Sequence, residues 1–186
     1  MAPRVVVLGR QGAGKGTQCA KLVDEYGVVH VSTGDMLRSA VAAGTELGQQ
    51  ADAIMKAGDL VPDDVMIGIV GERLAQDDIM ENGVLLDGFP RTPIQADALR
   101  AIFEEQGVEL NAALNIDVPL DEVKERMMAR GREDDTEESI TRRLELYEEQ
   151  TAPLIEWFAA RDLLMVVNGL GDEDEVFARV QGALAL

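Results

Sequence analysis

Gly9-Arg10-Gln11-Gly12-Ala13-Gly14-Lys15-Gly16-Thr17 is the stretch whose reading decides the fold. It sits between a β-branched apolar run, Arg4–Leu8 (RVVVL), and an amphipathic stretch from about Lys15 to Tyr26 that Gly27 stops. Strand, glycine-rich loop and helix in that order are the setting of a phosphate-binding loop. Glycines let successive backbone N–H groups turn inward around an anion. The helix N-terminus adds its dipole, and Lys15 adds a point charge. An ordinary βα turn needs neither four glycines nor a lysine at the helix start. The common loop pattern has Ser or Thr directly after the lysine; here Gly16 intervenes and Thr17 follows. The motif points to a bound nucleotide but does not separate kinases from switches or motors.

Outward from the loop, short apolar strands alternate with longer helical stretches. Strands are predicted at Val28–Val31, Val84–Leu86 (ending at Asp87), Ala112–Ile116 and Leu164–Val167. Helices are predicted around Asp35–Ala43, Glu46–Ala57, Asp63–Gln76, Pro93–Gln106, Leu120–Ala129 and Asp172–Ala185. A long helix begins after Thr136 and runs to about Ala160, and Pro153 should bend or break it. Nearly all-apolar strands alternating with helices predict an α/β fold with a five-stranded parallel sheet covered on both faces. The interval from Ser32 to Gly83 exceeds what one crossover helix needs, so a small helical lobe is inserted there.

The 186 residues suffice for one domain with a real core. Apolar residues make up 46%, yet no run approaches the ~18 residues of a membrane span. Met1-Ala2-Pro3-Arg4 leads straight into a strand, unlike a signal peptide, so a cytoplasmic location is expected. Cys19 is the only cysteine, which rules out an intrachain disulfide and a multi-cysteine zinc site. Thirty-five acidic against 17 basic residues leave a net charge of −18. That balance argues against nucleic acid or an anionic membrane as a partner. A monomer is expected, because no surplus apolar stripe is evident.

With the extra glycine before Thr17, the loop resembles that of the nucleoside monophosphate kinases. Within them, three further segments are similar to adenylate kinase: His30-Val31-Ser32-Thr33-Gly34-Asp35-Met36-Leu37-Arg38, Gly58-Asp59-Leu60-Val61-Pro62-Asp63-Asp64 and Leu86-Asp87-Gly88-Phe89-Pro90-Arg91-Thr92. The resemblance covers nearly the whole chain, in order. It implies a three-layer P-loop nucleotide kinase fold over residues 1–186, an inserted monophosphate-binding lobe at 32–61 and a short lid loop at 129–135. It also implies ATP + AMP ⇌ 2 ADP with magnesium.

The resemblance assigns ATP to Gly12, Ala13, Gly14, Lys15, Gly16, Thr17, Arg126, Arg130 and, through its backbone, Gly171. AMP falls to Thr33, Arg38, Asp59, Leu60, Val61, Gly88, Phe89, Pro90, Arg91, Gln95, Arg132 and Arg143. Lys15, Arg91, Arg126, Arg132 and Arg143 become the catalytic cations. Two guanidinium forks suit a dianionic phosphate, which fits Arg38 and Arg91 as its grip. Thr33 stands where pyrimidine-specific relatives usually carry Ala, which favours AMP over UMP or CMP. Asp87 ends a strand where open α/β sheets place ligands. It is a candidate to hold magnesium through water, against a plain turn aspartate; Asp35 would support its helix's first turn and help that shell indirectly.

Arg126 and Arg130 are four apart and share a helix face. Gly131 lets Arg132 turn back, and Arg142 should point away from Arg143. Only three residues separate Arg130 from Asp134, so the lid is of the short form and can hold no zinc. Gln11 replaces the usual loop proline and adds backbone freedom. Cys19 and His30 read as structural, and Tyr147, Trp157 and Phe158 as core. Alternatives are a pyrimidine monophosphate kinase and a nucleotide-binding switch; a switch has no need of a second phosphate grip.

Overall fold

The structure is a computed structural model that describes residues 2–132 and 134–185. Glu133 of the expected lid loop lies outside the described residues. Strands β1 (Arg4–Leu8), β2 (Val29–Ser32), β3 (Val84–Asp87), β4 (Ala112–Asp117) and β5 (Leu164–Asn168) form a parallel sheet in the order β2-β3-β1-β4-β5. Parallel pairing requires a crossover between consecutive strands, and the helices supply it.

The pleat divides β1 between two cores. Val5 and Val7 face Cys19 and Leu22 of α1 (Lys15–Tyr26), Val123 and Met127 of α7 (Leu120–Arg130), and Val176 and Val180 of α10 (Glu173–Leu184). Val6 and Leu8 face the opposite layer. That layer contains Val70 and Leu74 of α4 (Asp63–Leu74), Leu99 and Phe103 of α6 (Pro93–Glu105), and Leu154 and Phe158 of α9 (Pro153–Ala159). Helix, sheet and helix make the three layers expected.

Helices α2 (Thr33–Ala42) and α3 (Glu46–Ala57) pack on each other between β2 and Pro62. Ser32 caps α2 by accepting from the Asp35 N–H at 3.3 Å. Thr33 is therefore the first residue of the helix rather than a residue before it, and β2 sits one residue later than expected. A short helix the sequence reading missed, α5 (Asp77–Asn82), follows α4; its four polar residues mask the turn, and buried Ile79 anchors it.

The long helix after Thr136 is interrupted rather than bent. α8 (Glu137–Leu146) opens where the Thr136 hydroxyl accepts from the Ser139 N–H at 3.1 Å. It passes into a π turn, Tyr147–Thr151, before α9 starts at Pro153. Pro153 has no N–H and its ring would collide with the carbonyl four residues back. The chain widens by one residue instead, with the Ala152 N–H donating to the Tyr147 carbonyl at 2.7 Å. No helix among the described residues is long and apolar enough to cross a membrane.

Candidate functional site

The loop after β1, the start of α2 after β2 and Asp87 at the end of β3 surround one cleft of about 750 Å³, at the carboxyl ends of the strands. On the loop side, Gly12 and Gly14 have φ of 84° and 90°. A Cβ on Gly12 would stand 2.7 Å from the Val123 carbonyl oxygen, so only glycine lets the loop pass this close to α7. Lys15 Nζ donates to the carbonyls of Gly9 (2.8 Å) and Arg10 (3.1 Å), which folds the side chain back along the loop. Its enclosure lowers the ammonium pKa, against the opposing pull of Asp87.

Arg10 anchors the loop from behind. Its Nε and Nη2 donate to Glu148 Oε1 at 2.8 and 2.6 Å, its Nη1 donates to the Val118 carbonyl at 3.3 Å, and its guanidinium lies 5.4 Å from the Tyr147 ring centre. Glu148 and Tyr147 both belong to the π turn.

The opposite wall is built around Arg91. Its Nε donates to the Gly88 carbonyl (2.9 Å), its N–H donates to Gln95 Oε1 (2.7 Å) and its carbonyl accepts from the Thr151 hydroxyl (2.9 Å). Burial lowers the guanidinium pKa, against Asp87. Gly88 has φ 86°, and a Cβ there would meet Thr33 Oγ1 at 2.6 Å. Gln95 is 2% exposed, and its Nε2 also donates to Asp63 Oδ1 at 2.8 Å. Arg38 pairs with Asp35 at 2.5 Å.

Arg126, Arg130, Arg132 and Arg143 line the third side. Each paired arginine has its acid close by: Arg126 with Glu122 (2.7 Å), Arg130 bidentate with Asp135 (2.7 and 2.8 Å), and Arg143 with Asp134 and with Asp135 (3.1 Å). Burial would raise the Asp135 carboxyl, but Arg130 and Arg143 hold it below its ordinary value of 3.8. Arg142 does not line the cleft but pairs at its edge with Asp59 (2.8 Å), which does, while Arg143 Nη2 also donates to the Met55 carbonyl (3.1 Å). These two contacts tie α8 to the segment containing α3.

Asp87 lines the cleft beside the loop. Burial pushes its carboxyl up; His30, Lys15 and Arg91 outweigh that and leave it below its ordinary value. The carboxylate thus stays ionised in a mostly enclosed position, the chemistry needed to hold a hydrated magnesium ion.

Of the residues the sequence singled out, Gly12 to Thr17, Thr33, Arg38, Asp59, Leu60, Val61, Asp87, Gly88, Arg91, Gln95, Arg126, Arg130, Arg132, Arg143 and Gly171 all line this cleft. Phe89 and Pro90 do not. Phe89 is 1% exposed within the core, and Pro90 lines a small pocket of about 50 Å³ behind the cleft, after the cis Phe89–Pro90 bond. The Gly88-to-Arg91 turn sends its ends to the cleft and its middle to the core. Met55, Met66 and Asp134 line the cleft and went unread. The methionines lie on ordinary amphipathic faces, and Asp134 looked like one more acid in an acidic loop. Tyr147 and Trp157 are only partly core: each lies beneath an arginine, Arg10 and Arg161 respectively.

Residues 7–163 match the family model described as Adenylate kinase. The chain is 48% identical over 181 residues to an adenylate kinase of Mycobacteroides abscessus, covering 97% of this chain and 98% of that protein. It is 46% identical over 186 residues to one of Thermus thermophilus, covering 98% and 97%. It is 44% identical over 185 residues to one of Stenotrophomonas maltophilia, covering 97% and 98%.

Proposed function

The chain belongs to the adenylate kinase family, and from that premise we propose how its cleft carries out reversible phosphoryl transfer from ATP to AMP. The observation that carries this reading is two separate cationic grips facing one cleft, the phosphate loop with the lid arginines on one side and Arg38 with Arg91 on the other. A nucleotide switch needs only the first.

In this reading ATP lies on Gly12 to Thr17, with its outer phosphates reached by Lys15, Arg126 and Arg130, and Gly171 beneath its base. AMP lies against Thr33, Leu60, Val61, Gly88 and Gln95, its phosphate held by Arg38 and Arg91. Residues 32–61 form the lobe that carries AMP, and residues 129–135 the lid. Asp87 would hold magnesium through water, and the ion, when bound, neutralises charge on the β- and γ-phosphates.

An ionised oxygen of the AMP phosphate attacks the γ-phosphorus in line. The bond to the bridging β-oxygen breaks, and the electron pair leaves on ADP. The nucleophile is already deprotonated, so no side chain is required as a base. The protein contributes alignment and positive charge around the equatorial oxygens, from Lys15, Arg91, Arg126, Arg132 and Arg143. Arg126, Arg130 and Arg143 are already positioned by Glu122, Asp134 and Asp135, so there phosphate replaces a carboxylate rather than ordering a loose side chain. Closure over the cleft excludes water, which would otherwise hydrolyse ATP.

A coupled assay with ATP and each nucleoside monophosphate tests this. Rapid ADP formation with AMP and little with UMP or CMP is expected. Preference for a pyrimidine acceptor would reassign the substrate, and no turnover with any acceptor would overturn the kinase reading. We also place the protein in the cytoplasm as a monomer.

A further inference from the structure

Behind the phosphate loop, three side chains from three different elements converge: Cys19 of α1, His30 of β2 and Asp87 of β3. One donor atom of each lies within 4.8 Å of the other two. Cys19 has no part in the phosphoryl transfer described above, and His30 bears on it only through Asp87. Cys19 is 0% exposed. His30 Nε2 is buried without a hydrogen-bond partner, and Asp87 Oδ2 stands 3.6 Å away, just beyond hydrogen-bond reach. An unpaired ring nitrogen in such a place is unfavourable and calls for a ligand.

We propose that Cys19 Sγ, His30 Nε2 and the Asp87 carboxylate form a binding site for a borderline-soft divalent cation of the zinc class, whose occupation inhibits the enzyme. The donor set decides the class of ion. Thiolate and imidazole suit zinc or cobalt and do not suit magnesium, which prefers oxygen ligands. Three protein donors leave a fourth position, and because Asp87 lines the cleft, water from the cleft fills it. His30 Nε2 and Asp87 Oδ2, 3.6 Å apart, already have the spacing of two donors on one tetrahedral ion, and modest side-chain rotation completes the set.

Binding releases the Cys19 thiol proton to solvent; no bond other than S–H breaks and no redox change occurs. Thiolate and carboxylate then balance the two positive charges of the ion. Inhibition follows from the shared ligand. Asp87 is the carboxylate that acts on Lys15 and Arg91. Once engaged by the cation, it leaves those two groups beside an additional positive centre and is withdrawn from magnesium–ATP. The site is separate from a cysteine-rich lid, which this chain lacks, and needs only its single cysteine.

The test is a cobalt(II) titration of the full chain, without chelator or nucleotide, followed by thiolate-to-cobalt absorption in the near ultraviolet. The wild type should develop this band with one equivalent of cobalt and lose it when zinc is added. Cys19→Ala should lack the band. His30→Asn should keep a thiolate but bind cobalt at least ~10-fold more weakly, since loss of a direct ligand costs no less than loss of its supporting partner. Circular dichroism checks that each variant folds, and without added zinc Cys19→Ala should turn over ATP and AMP as the wild type does. Zinc should inhibit the wild type at concentrations that leave each variant at its own zinc-free rate. Absence of the thiolate band in the wild type overturns the proposal, as does an unchanged cobalt affinity in His30→Asn. That second result decides the matter even if Cys19→Ala fails to fold. Because the band is read without nucleotide, its absence would leave the kinase reading standing.

Discussion

Arg91 shows how much local structure one functional guanidinium requires. Three hydrogen bonds hold its main chain and its Nε before any substrate arrives, from Gln95, Thr151 and Gly88. Gly88 must be glycine, because a Cβ would strike Thr33. Replacing Arg91 with Ala removes a preorganised donor whose loss costs ~100- to 1000-fold in rate. Arg91→Ala should therefore lose phosphoryl transfer to AMP by at least that factor while ATP binding, measured by calorimetry, stays largely intact. Equal loss of both would show that the two phosphate grips are wrongly divided. At this scale the sequence was most legible where a backbone constraint and a charge coincide, as at Gly12-Ala13-Gly14-Lys15 and at Gly88 with Arg91, and it misled at Phe89 and Pro90 between them. It was least legible for Met55 and Met66, whose spacing on a helix is the same whether they face a core or a ligand. Gln95 was legible as a site residue but not as a brace for Arg91, because its partner Asp63 lies 32 positions away.

Among the elements, the π turn Tyr147–Thr151 links parts the sequence kept apart. Thr151 holds the Arg91 carbonyl on the proposed AMP side, while Tyr147 and Glu148 hold Arg10 behind the phosphate loop. Pro153 announced a break, but no sequence rule chose between a kink and a widened turn. The choice depends on what the turn packs against. The Arg10–Glu148 contact also bears on Gln11, which stands where a proline would otherwise stiffen the loop; Arg10 supplies restraint from outside. The pair is partly exposed, so its loss is worth about 1 kcal/mol. Arg10→Ala should raise KM for ATP roughly fivefold, the equivalent of that energy, with KM for AMP unchanged in steady-state assays. Equal KM values for both substrates in mutant and wild type would remove Arg10 as a positioning residue.

Across the whole molecule, charge is segregated. Seven of the 17 basic residues, Lys15, Arg38, Arg91, Arg126, Arg130, Arg132 and Arg143, line the cleft, leaving ten to face the rest of an acidic chain. The net −18 that argued against anionic partners belongs to the whole chain; with the seven cleft cations set apart the shell is more acidic still, while the proposed substrates meet the interior of the cleft. Even there the cations are guarded by acids such as Asp35, Asp134 and Asp135, so the site is less positive than a count of arginines suggests. A shell this acidic repels itself, and salt screens that repulsion over about 3 Å at 1 M. The melting temperature should therefore climb through a KCl series; a flat or falling curve would show that self-repulsion does not limit stability. The layered sheet was legible at this scale from strand composition alone. The convergence of the phosphate loop, the α2–α3 segment and the arginines of α7 and α8 on one cleft was not, since it depends on the order β2-β3-β1-β4-β5.

One cleft holding two nucleotides phosphate to phosphate is the central claim, and a ligand that joins two adenosines through a polyphosphate chain tests it most directly. Titrated into the full chain by calorimetry, it should bind once per chain, and both ATP and AMP should displace it. Binding at two equivalents, or displacement by ATP but not by AMP, would contradict the claim.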